Sequence, residues 1–165
     1  MTQVEKLQLK NTVERVLHAP GNSIKNNLEW TFVFDYNMPK DELQEVSKEI
    51  IITLKQHNVI FQNARLNVVE WKSDEEIYHK NVSMPSIQIG SYFQDYETKE
   101  EDKKIENLAA ALKLFQARAK LIILITNKEY KPVDMQKWKD NMNPFLFHRL
   151  FKVIDGKCSF FTRPS

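Results

Sequence analysis

The chain has 165 residues, of which 42% are hydrophobic and 28% are charged, with a formal net charge of +2. A chain of this length buries about 70% of the surface that it exposes when unfolded, so we expect a single domain over residues 1–165. The longest aliphatic run, Leu121 to Ile125, is far shorter than the roughly 20 residues of a membrane-spanning helix, and residues 1–6 lack the apolar block of a secretory signal. We therefore expect a soluble, cytoplasmic protein with no membrane partner.

Charge is distributed unevenly along the chain. Residues 95–106 contain six acidic residues and three lysines, whereas residues 131–165 contain seven Lys or Arg and three Asp. Neither segment is dense enough in one sign to form a nucleic-acid-binding arm or an acidic tail by itself. Cys158 is the only cysteine, which excludes an intramolecular disulfide.

The first part of the chain predicts a helix, a strand and a second helix. Residues 1–20 carry apolar side chains at loosely helical spacing, and Pro20-Gly21-Asn22 ends that pattern, so we expect a helix that packs on the outside of the domain. Residues 29–35 are β-branched and aromatic, which is typical of a strand. Pro39 then opens a second helix, whose apolar residues recur at spacings of three and four: Leu43, Val46, Ile50 and Leu54.

The middle of the chain predicts two further strands. Alternate residues of the run from Ala64 to Trp71 face opposite sides of the sheet. One side carries Leu66, Val68 and Glu70, and the other carries Asn67, Val69 and Trp71. The polar stretch 72–83 lacks the helical pattern of a parallel crossover, so this strand is predicted to pair with the short run 86–90 as an antiparallel hairpin.

The last part of the chain predicts two helices, a central strand and a hairpin. The central strand is Leu121 to Thr126, and Val133 to Met142 is a shorter helix with Asp134 near its positive end. The helix before the strand carries the clearest apolar stripe, formed by Ile105, Leu108, Ala109, Leu112, Phe115 and Ala119.

The C-terminal hairpin is predicted over residues 148–162. Asp155-Gly156 readily adopts the positive φ values of a type I′ turn. This register places Val153 opposite Cys158 and Phe151 opposite Phe160 on one apolar face. Together the elements predict an α/β fold, a three-layer sandwich whose mostly parallel central sheet ends in an antiparallel edge strand or hairpin.

Polar residues follow the two most apolar strands at the point where each strand ends. Asp35-Tyr36-Asn37 follows residues 31–34, and Thr126-Asn127 follows residues 121–125. Because ligands of α/β sheets gather outside the carboxyl ends of parallel strands, these residues mark a candidate site. They also suit ordinary turns, since Asp and Thr side chains readily accept hydrogen bonds from nearby backbone N–H groups.

The order of helices and strands over residues 29–154 resembles the von Willebrand factor A-type domain. In that family the first strand ends in a metal-binding Asp-x-Ser-x-Ser and the fourth ends in Thr-Asp-Gly. The matching positions here read Asp35-Tyr36-Asn37-Met38-Pro39 and Thr126-Asn127-Lys128, so Pro39 lacks an oxygen side chain and Asn127 replaces a carboxylate. Mg²⁺ prefers several oxygen ligands, usually with negative charge. The resemblance therefore implies a degenerate metal site that binds Mg²⁺ weakly through Asp35, and no other cofactor.

Members of that family mostly mediate contact between proteins. The resemblance implies a non-enzymatic interaction module that binds another protein through loops at the carboxyl edge of the sheet, around residues 35–39, 91–97 and 126–130. No catalytic residue is assigned. The partner-binding residues expected in these loops are Asp35, Tyr36, Asn37, Tyr92, Asp95, Tyr96, Thr126 and Asn127.

Two other function classes stay open. Asp35 and Thr126-Asn127 are also similar to the motifs of haloacid-dehalogenase-type phosphotransferases, which implies a Mg²⁺-dependent phosphate enzyme with Asp35 as nucleophile. Asn37 departs from that family, because it replaces the Asp that acts as general acid and base. Alternatively, a nucleic-acid accessory protein would use basic and aromatic residues that interleave toward the C-terminus, in Lys137-Trp138-Lys139, Phe147-His148-Arg149 and Phe151-Lys152.

Other kinds of site are excluded by spacing. A Gly-rich phosphate loop needs several neighbouring glycines, and the three glycines are far apart, at Gly21, Gly90 and Gly156. The histidines lack the spacing of metal ligands, at His18, His57, His79 and His148.

Overall fold

The computed structural model describes residues 30–57, 66–115, 121–141, 150–154 and 157–160, together with six residues between positions 3 and 11. Those six residues are helical, as predicted for this segment. Lys6 Nζ lies 3.1 Å from Glu49 Oε2, which places this helical segment beside the helix Lys40–His57. Pro20-Gly21-Asn22 lies outside the described residues.

In the described part of the chain, six strands form one sheet, in the order β3-β2-β1-β4-β5-β6. The four central strands run parallel, and β3 and β6 are antiparallel to their neighbours. The prediction of a mostly parallel sheet with an antiparallel edge is thus confirmed, and an antiparallel strand lies at each edge. The strands are β1 Trp30–Asp35, β2 Leu66–Trp71, β3 Ile77–Val82, β4 Leu121–Ile125, β5 Leu150–Ile154 and β6 Lys157–Phe160.

The helices supply two separate core clusters. One cluster joins Phe32 and Phe34 of β1 to Leu43 and Ile50 of the helix that follows, and we call this side of the sheet the α1 face. The other cluster joins Val33 to the helices nearer the C-terminus, and we call that side of the sheet the α3 face. The helices are α1 Lys40–His57, α2 Met84–Gln88, α3 Ile105–Phe115 and α4 Met135–Asn141, with a short 3₁₀ turn at Ser91–Phe93.

The predicted periodicities explain which side chains enter each cluster. Leu66 and Val68 belong to the α1 face, whereas Val69 and Trp71 belong to the α3 face. In α3, the predicted stripe is buried at Ile105, Leu108, Ala109 and Leu112. Ala119 lies outside the described residues.

Helix ends also follow the local sequence. The carbonyl of Pro39 accepts a hydrogen bond from the N–H of Leu43 at 3.0 Å, which opens α1. Asp134 accepts one from the N–H of Lys137 at 3.0 Å, and this caps α4 as the negative charge at its positive end predicts.

The antiparallel partner of β2 was predicted wrongly. Residues 86–90 are not a strand, because Pro85 opens the short helix α2 in this region. The strand lies earlier, at β3, since Ser73 Oγ accepts hydrogen bonds from the N–H groups of Glu75 and Glu76 and reverses the chain directly after β2. Four of the six β3 residues are exposed, so no apolar alternation marks this strand in the sequence.

The C-terminal hairpin has the predicted register, with Phe151 opposite Phe160 and Val153 opposite Cys158. Its turn, Asp155-Gly156, lies outside the described residues. Among the helices that the structure describes, none is long and apolar enough to cross a membrane.

Candidate functional site

Two buried carboxylates lie at the carboxyl ends of neighbouring parallel strands. Asp35 is the last residue of β1 and Glu70 the penultimate residue of β2, and their side chains are 0% and 5% exposed. Side chains alternate along a strand, so Asp35 lies on the same side of the sheet as Val33, the α3 face. Glu70 lies on the same side as Leu66 and Val68, the α1 face. The edge therefore carries two distinct polar centres.

Asp35 accepts four hydrogen bonds. Its Oδ1 accepts from Lys103 Nζ at 2.6 Å and from the N–H of Asn37 at 3.0 Å. Its Oδ2 accepts from the hydroxyl groups of Thr126, at 2.7 Å, and Tyr130, at 2.8 Å. We call these residues the Asp35 cluster. The carboxylate is fully paired, as a buried charge must be.

Lys103 is enclosed as completely as its partner. Its ammonium also donates to the carbonyl of Trp71 at 2.6 Å and lies 4.6 Å from the centroid of the Trp71 ring. Burial lowers the pKa of Lys103, and the facing carboxylate of Asp35 opposes that shift. Burial likewise raises the pKa of Tyr130, with the nearby negative charge of Asp35 as the second cause, so this phenol stays a donor.

Ordinary turns account for part of both strand ends. The bond from the N–H of Asn37 to Asp35 Oδ1 is an Asx turn. Similarly, Thr126 Oγ1 accepts from the N–H of Lys128 at 3.1 Å. The turn interpretation of both segments is thus confirmed, and the same side chains also reach each other across the sheet.

Asn37 links the loops of the carboxyl edge. Its amide nitrogen donates to the carbonyl of Glu101 at 2.9 Å, and its amide oxygen accepts from the N–H of Glu101 at 3.2 Å. Tyr96 supports the same junction, since its hydroxyl donates to the carbonyl of Met38 at 2.8 Å. The N–H of Lys99 donates to the carbonyl of Tyr36 at 2.8 Å. These bonds hold residues 35–39 against residues 96–101.

The second centre is built around Glu70. Its Oε2 accepts hydrogen bonds from the hydroxyl groups of Tyr36 and Tyr92, the latter at 2.6 Å. Its Oε1 lies 2.9 Å from Lys80 Nζ, an ion pair without hydrogen-bond geometry. Burial by itself raises the pKa of Glu70, but Lys80 and the two phenols outweigh burial and lower it, so the group is a carboxylate. Burial raises the pKa of both tyrosines, which remain protonated donors.

A cavity of about 270 Å³ opens beside Glu70. We call it the Glu70 cavity. Aromatic rings form part of its wall, with the Tyr36 and Tyr96 centroids 4.3 Å apart. Its lining includes Tyr36, Glu70, Lys72, Lys80, Tyr92 and Tyr96. Asp95, Glu97 and Lys99 complete the lining.

Asp35 does not fit the role of a Mg²⁺ ligand in this arrangement. The ammonium of Lys103 supplies the positive charge beside Oδ1, and the hydroxyl groups of Thr126 and Tyr130 donate hydrogen bonds to Oδ2. Within the described part of the chain, no three His, Cys, Asp or Glu side chains are grouped as metal ligands would be. A cation at this position would have to displace a buried lysine.

The predicted site residues divide between the two centres and the surface. Asp35 and Thr126 meet in the Asp35 cluster, whereas Tyr36, Tyr92, Asp95 and Tyr96 line the Glu70 cavity. Asn37 connects the loops. Asn127 is exposed two residues after β4, and it is not part of either centre.

Four residues of these centres were not predicted as site residues: Glu70, Lys80, Lys103 and Tyr130. Glu70 carries a usable signal, because a charged residue that alternates with Leu66 and Val68 on an apolar face is either paired or functional. Lys103 carries no such signal, since nothing in the sequence distinguishes it from the other two lysines of the acidic segment 95–106.

The basic and aromatic residues of α4 behave as core and solvated surface. Trp138 is buried on the α3 face, whereas Lys137 and Lys139 are exposed. The segment 142–149, which contains Phe147-His148-Arg149, lies outside the described residues.

No protein-family model matches this chain, and no curated protein matches it significantly.

Proposed function

We propose that the chain is a non-enzymatic protein-interaction module, similar to a von Willebrand A-type domain of three layers with a degenerate metal site. Its partner docks on the loops at the carboxyl edge, around residues 35–39, 91–97 and 126–130. The observation that carries this proposal is the joining of these loops. The hydroxyl of Tyr96 donates to the carbonyl of Met38 at 2.8 Å, and the amide nitrogen of Asn37 lies 3.5 Å from the hydroxyl of Tyr130, so all three loops are in contact and can present one continuous surface.

The burial of Asp35 favours binding over catalysis. A nucleophile must reach its substrate and a metal ligand must reach its ion, whereas the carboxylate of Asp35 has no exposed surface and accepts from four donors. A preorganised polar cluster of this kind instead gives the loops above it a fixed shape. Fixed loops lower the ordering cost of binding, which improves affinity.

Exposed side chains on these loops provide the experiment. Asp95 and Asn127 are both exposed, and their replacement by alanine leaves the buried bonds of the edge intact. The double variant Asp95→Ala/Asn127→Ala is compared with wild type and with Lys139→Ala, an exposed substitution on α4. Each protein captures partners from lysate for quantitative mass spectrometry, and a thermal melt confirms that each is folded.

We expect at least one protein to be captured by wild type and by Lys139→Ala and lost from the loop variant. Capture that is the same for all three proteins contradicts the proposal. So does phosphatase turnover that requires Asp35, which would favour the enzyme alternative.

A further inference from the structure

The Glu70 cavity is large enough to admit one long side chain. Its volume, about 270 Å³, lies just under the range of about 300–1,000 Å³ that holds drug-sized ligands. It lies on the edge where the proposed partner docks, because Tyr92, Asp95 and Tyr96 belong both to the docking loops and to the cavity lining. An occupant supplied by the partner therefore needs to be one extended side chain.

The cavity contains a buried acceptor, Glu70 Oε1, whose contact among the described residues is the ion pair with Lys80. Glu70 is 4% exposed, and its Oε1 makes no hydrogen bond with the described residues. Its Oε2, by contrast, accepts from two phenols. A group with N–H donors and a positive charge would complete this carboxylate.

Lys80 occupies this position from the solvent side. Its ammonium lies 2.9 Å from Oε1, but its side chain is 52% exposed and belongs to the exposed strand β3. Because the ammonium end of this pair is open to solvent, water screens the attraction, and the long side chain loses freedom in forming it. Lys80 can therefore rotate into solvent when another cation arrives.

The remaining charges of the lining favour a cation. Asp95 and Glu97 are exposed and make no ion pair with another described residue, whereas Lys99 is paired with Glu76 at 2.9 Å. Lys72 is the opposing charge, and its ammonium lies over the rings of Tyr36 and Tyr78, 5.3 and 5.2 Å from the centroids. The lining holds three acids and three lysines, and those without an ion pair to a described residue are Asp95, Glu97 and Lys72.

We propose that the Glu70 cavity binds a lysine or arginine side chain of the partner protein. The incoming cation donates hydrogen bonds to Glu70 Oε1, packs against the phenol rings and displaces the ammonium of Lys80. This inference rests on the proposed function, and it names the part of the partner that the docking loops recognise.

The test uses single amino acids as probes for the side chain. Nα-acetyl-lysine methylamide and Nα-acetyl-arginine methylamide are titrated into the full chain and followed by NMR. The norleucine and glutamate analogues serve as uncharged and anionic controls. The protein variants are Lys80→Met, Glu70→Gln and Lys139→Met, the last being an exposed substitution outside the cavity.

We expect both cationic probes to bind in the millimolar range and to bind Lys80→Met about tenfold more tightly than wild type, because the competing ammonium is gone. Glu70→Gln should show no saturable binding, and Lys139→Met should match wild type. The gain in Lys80→Met cannot arise from misfolding, which keeps the test informative if Glu70→Gln proves unstable.

Cationic probes that bind all four proteins equally, or that bind none, overturn the inference. Tighter binding of the glutamate analogue overturns it in favour of an anion site. The proposed function is tested separately, by capture of the partner from lysate. Capture can still depend on Asp95 and Asn127 while Lys80→Met and Glu70→Gln leave the captured amount unchanged. In that outcome only the assignment of the cavity fails.

Discussion

The ammonium of Lys103 lies 2.6 Å from Asp35 Oδ1, and both side chains are 0% exposed. The pair joins the end of β1 to the segment before α3, across 68 residues of sequence. A buried charge that has lost its partner is far less stable than either an intact pair or a neutral replacement. The stability of the whole edge thus depends on this contact.

Removing the ammonium should destabilise the protein strongly. Lys103→Met is expected to lower the free energy of unfolding by about 3–5 kcal/mol, because Asp35 remains buried without a counter-charge. Urea unfolding measures the change, and the exposed neighbour Lys104→Met is the control. Asp35→Asn/Lys103→Met should lose less than the sum of the two single variants. Equal stability of Lys103→Met and Lys104→Met would contradict the role of the pair.

Divalent cations should not stabilise the wild-type protein. A cation at about 100 times its Kd raises stability by about 2.7 kcal/mol, a shift in Tm of about 5–10 °C for this size. We expect no such shift with Mg²⁺, since Lys103 holds the position beside Asp35. Lys103→Met is the variant in which a shift is expected. A rise in wild-type Tm that disappears in Asp35→Ala would show that the carboxylate binds metal after all.

The hydroxyl of Thr126 should matter more than that of an exposed threonine. Thr126→Val removes the donor to Asp35 Oδ2 and leaves the N–H of Lys128 without its acceptor. The expected loss is about 1–3 kcal/mol in urea unfolding. Thr98→Val, at an exposed position with a long bond of 3.4 Å, should lose little. A similar loss in both variants would mean that the Asp35 cluster adds nothing specific.

Glu70 should make stability fall in acid. Its folded pKa lies below the ordinary value of 4.5, because Lys80 and the phenols of Tyr36 and Tyr92 outweigh the effect of burial. Its contribution to stability is therefore complete above the ordinary value and is lost as the pH falls through the folded pKa. Urea unfolding from neutral pH down to about pH 3 should show a shallower decline for Glu70→Gln than for wild type. Identical slopes would contradict the lowered pKa.

Gly90 should resist replacement for two separable reasons. Its φ is +84°, and a Cβ there would lie 1.9 Å from the amide nitrogen of Gln44. Gly90→Ala is expected to cost about 1–2 kcal/mol, chiefly from the left-handed backbone, because the Gln44 side chain can move aside. In a Gln44→Ala background the steric contribution to this cost disappears, and the contribution of the left-handed backbone remains. If the cost vanishes in that background, the clash rather than the backbone is the cause.

The meeting of Asp35 with Thr126 could be predicted from sequence because two apolar runs mark their strands. Parallel neighbours bring their carboxyl ends to one edge, and β1 and β4 pair with Phe34 opposite Ile125. Strand β3 could not be predicted this way, since a mostly exposed edge strand carries no apolar alternation. The same limit applies to Lys103. Which of the lysines in segment 95–106 turns inward depends on the path of an irregular loop, and periodicity holds no information about that path.

The Asp35 cluster also bears on how the chain folds. Its donors Lys103, Thr126 and Tyr130 lie 68, 91 and 95 residues after Asp35, so the carboxylate is neutralised only when distant parts of the chain have met. Contacts of such sequence separation are formed late and slow the search for the native state. Until residue 103 has been synthesised, the carboxylate at the end of β1 lacks its counter-charge, and until residue 130 has been synthesised it lacks its full set of donors. In a nascent chain, β1 therefore gains its full stability only when β4 and the loop after it have joined the sheet.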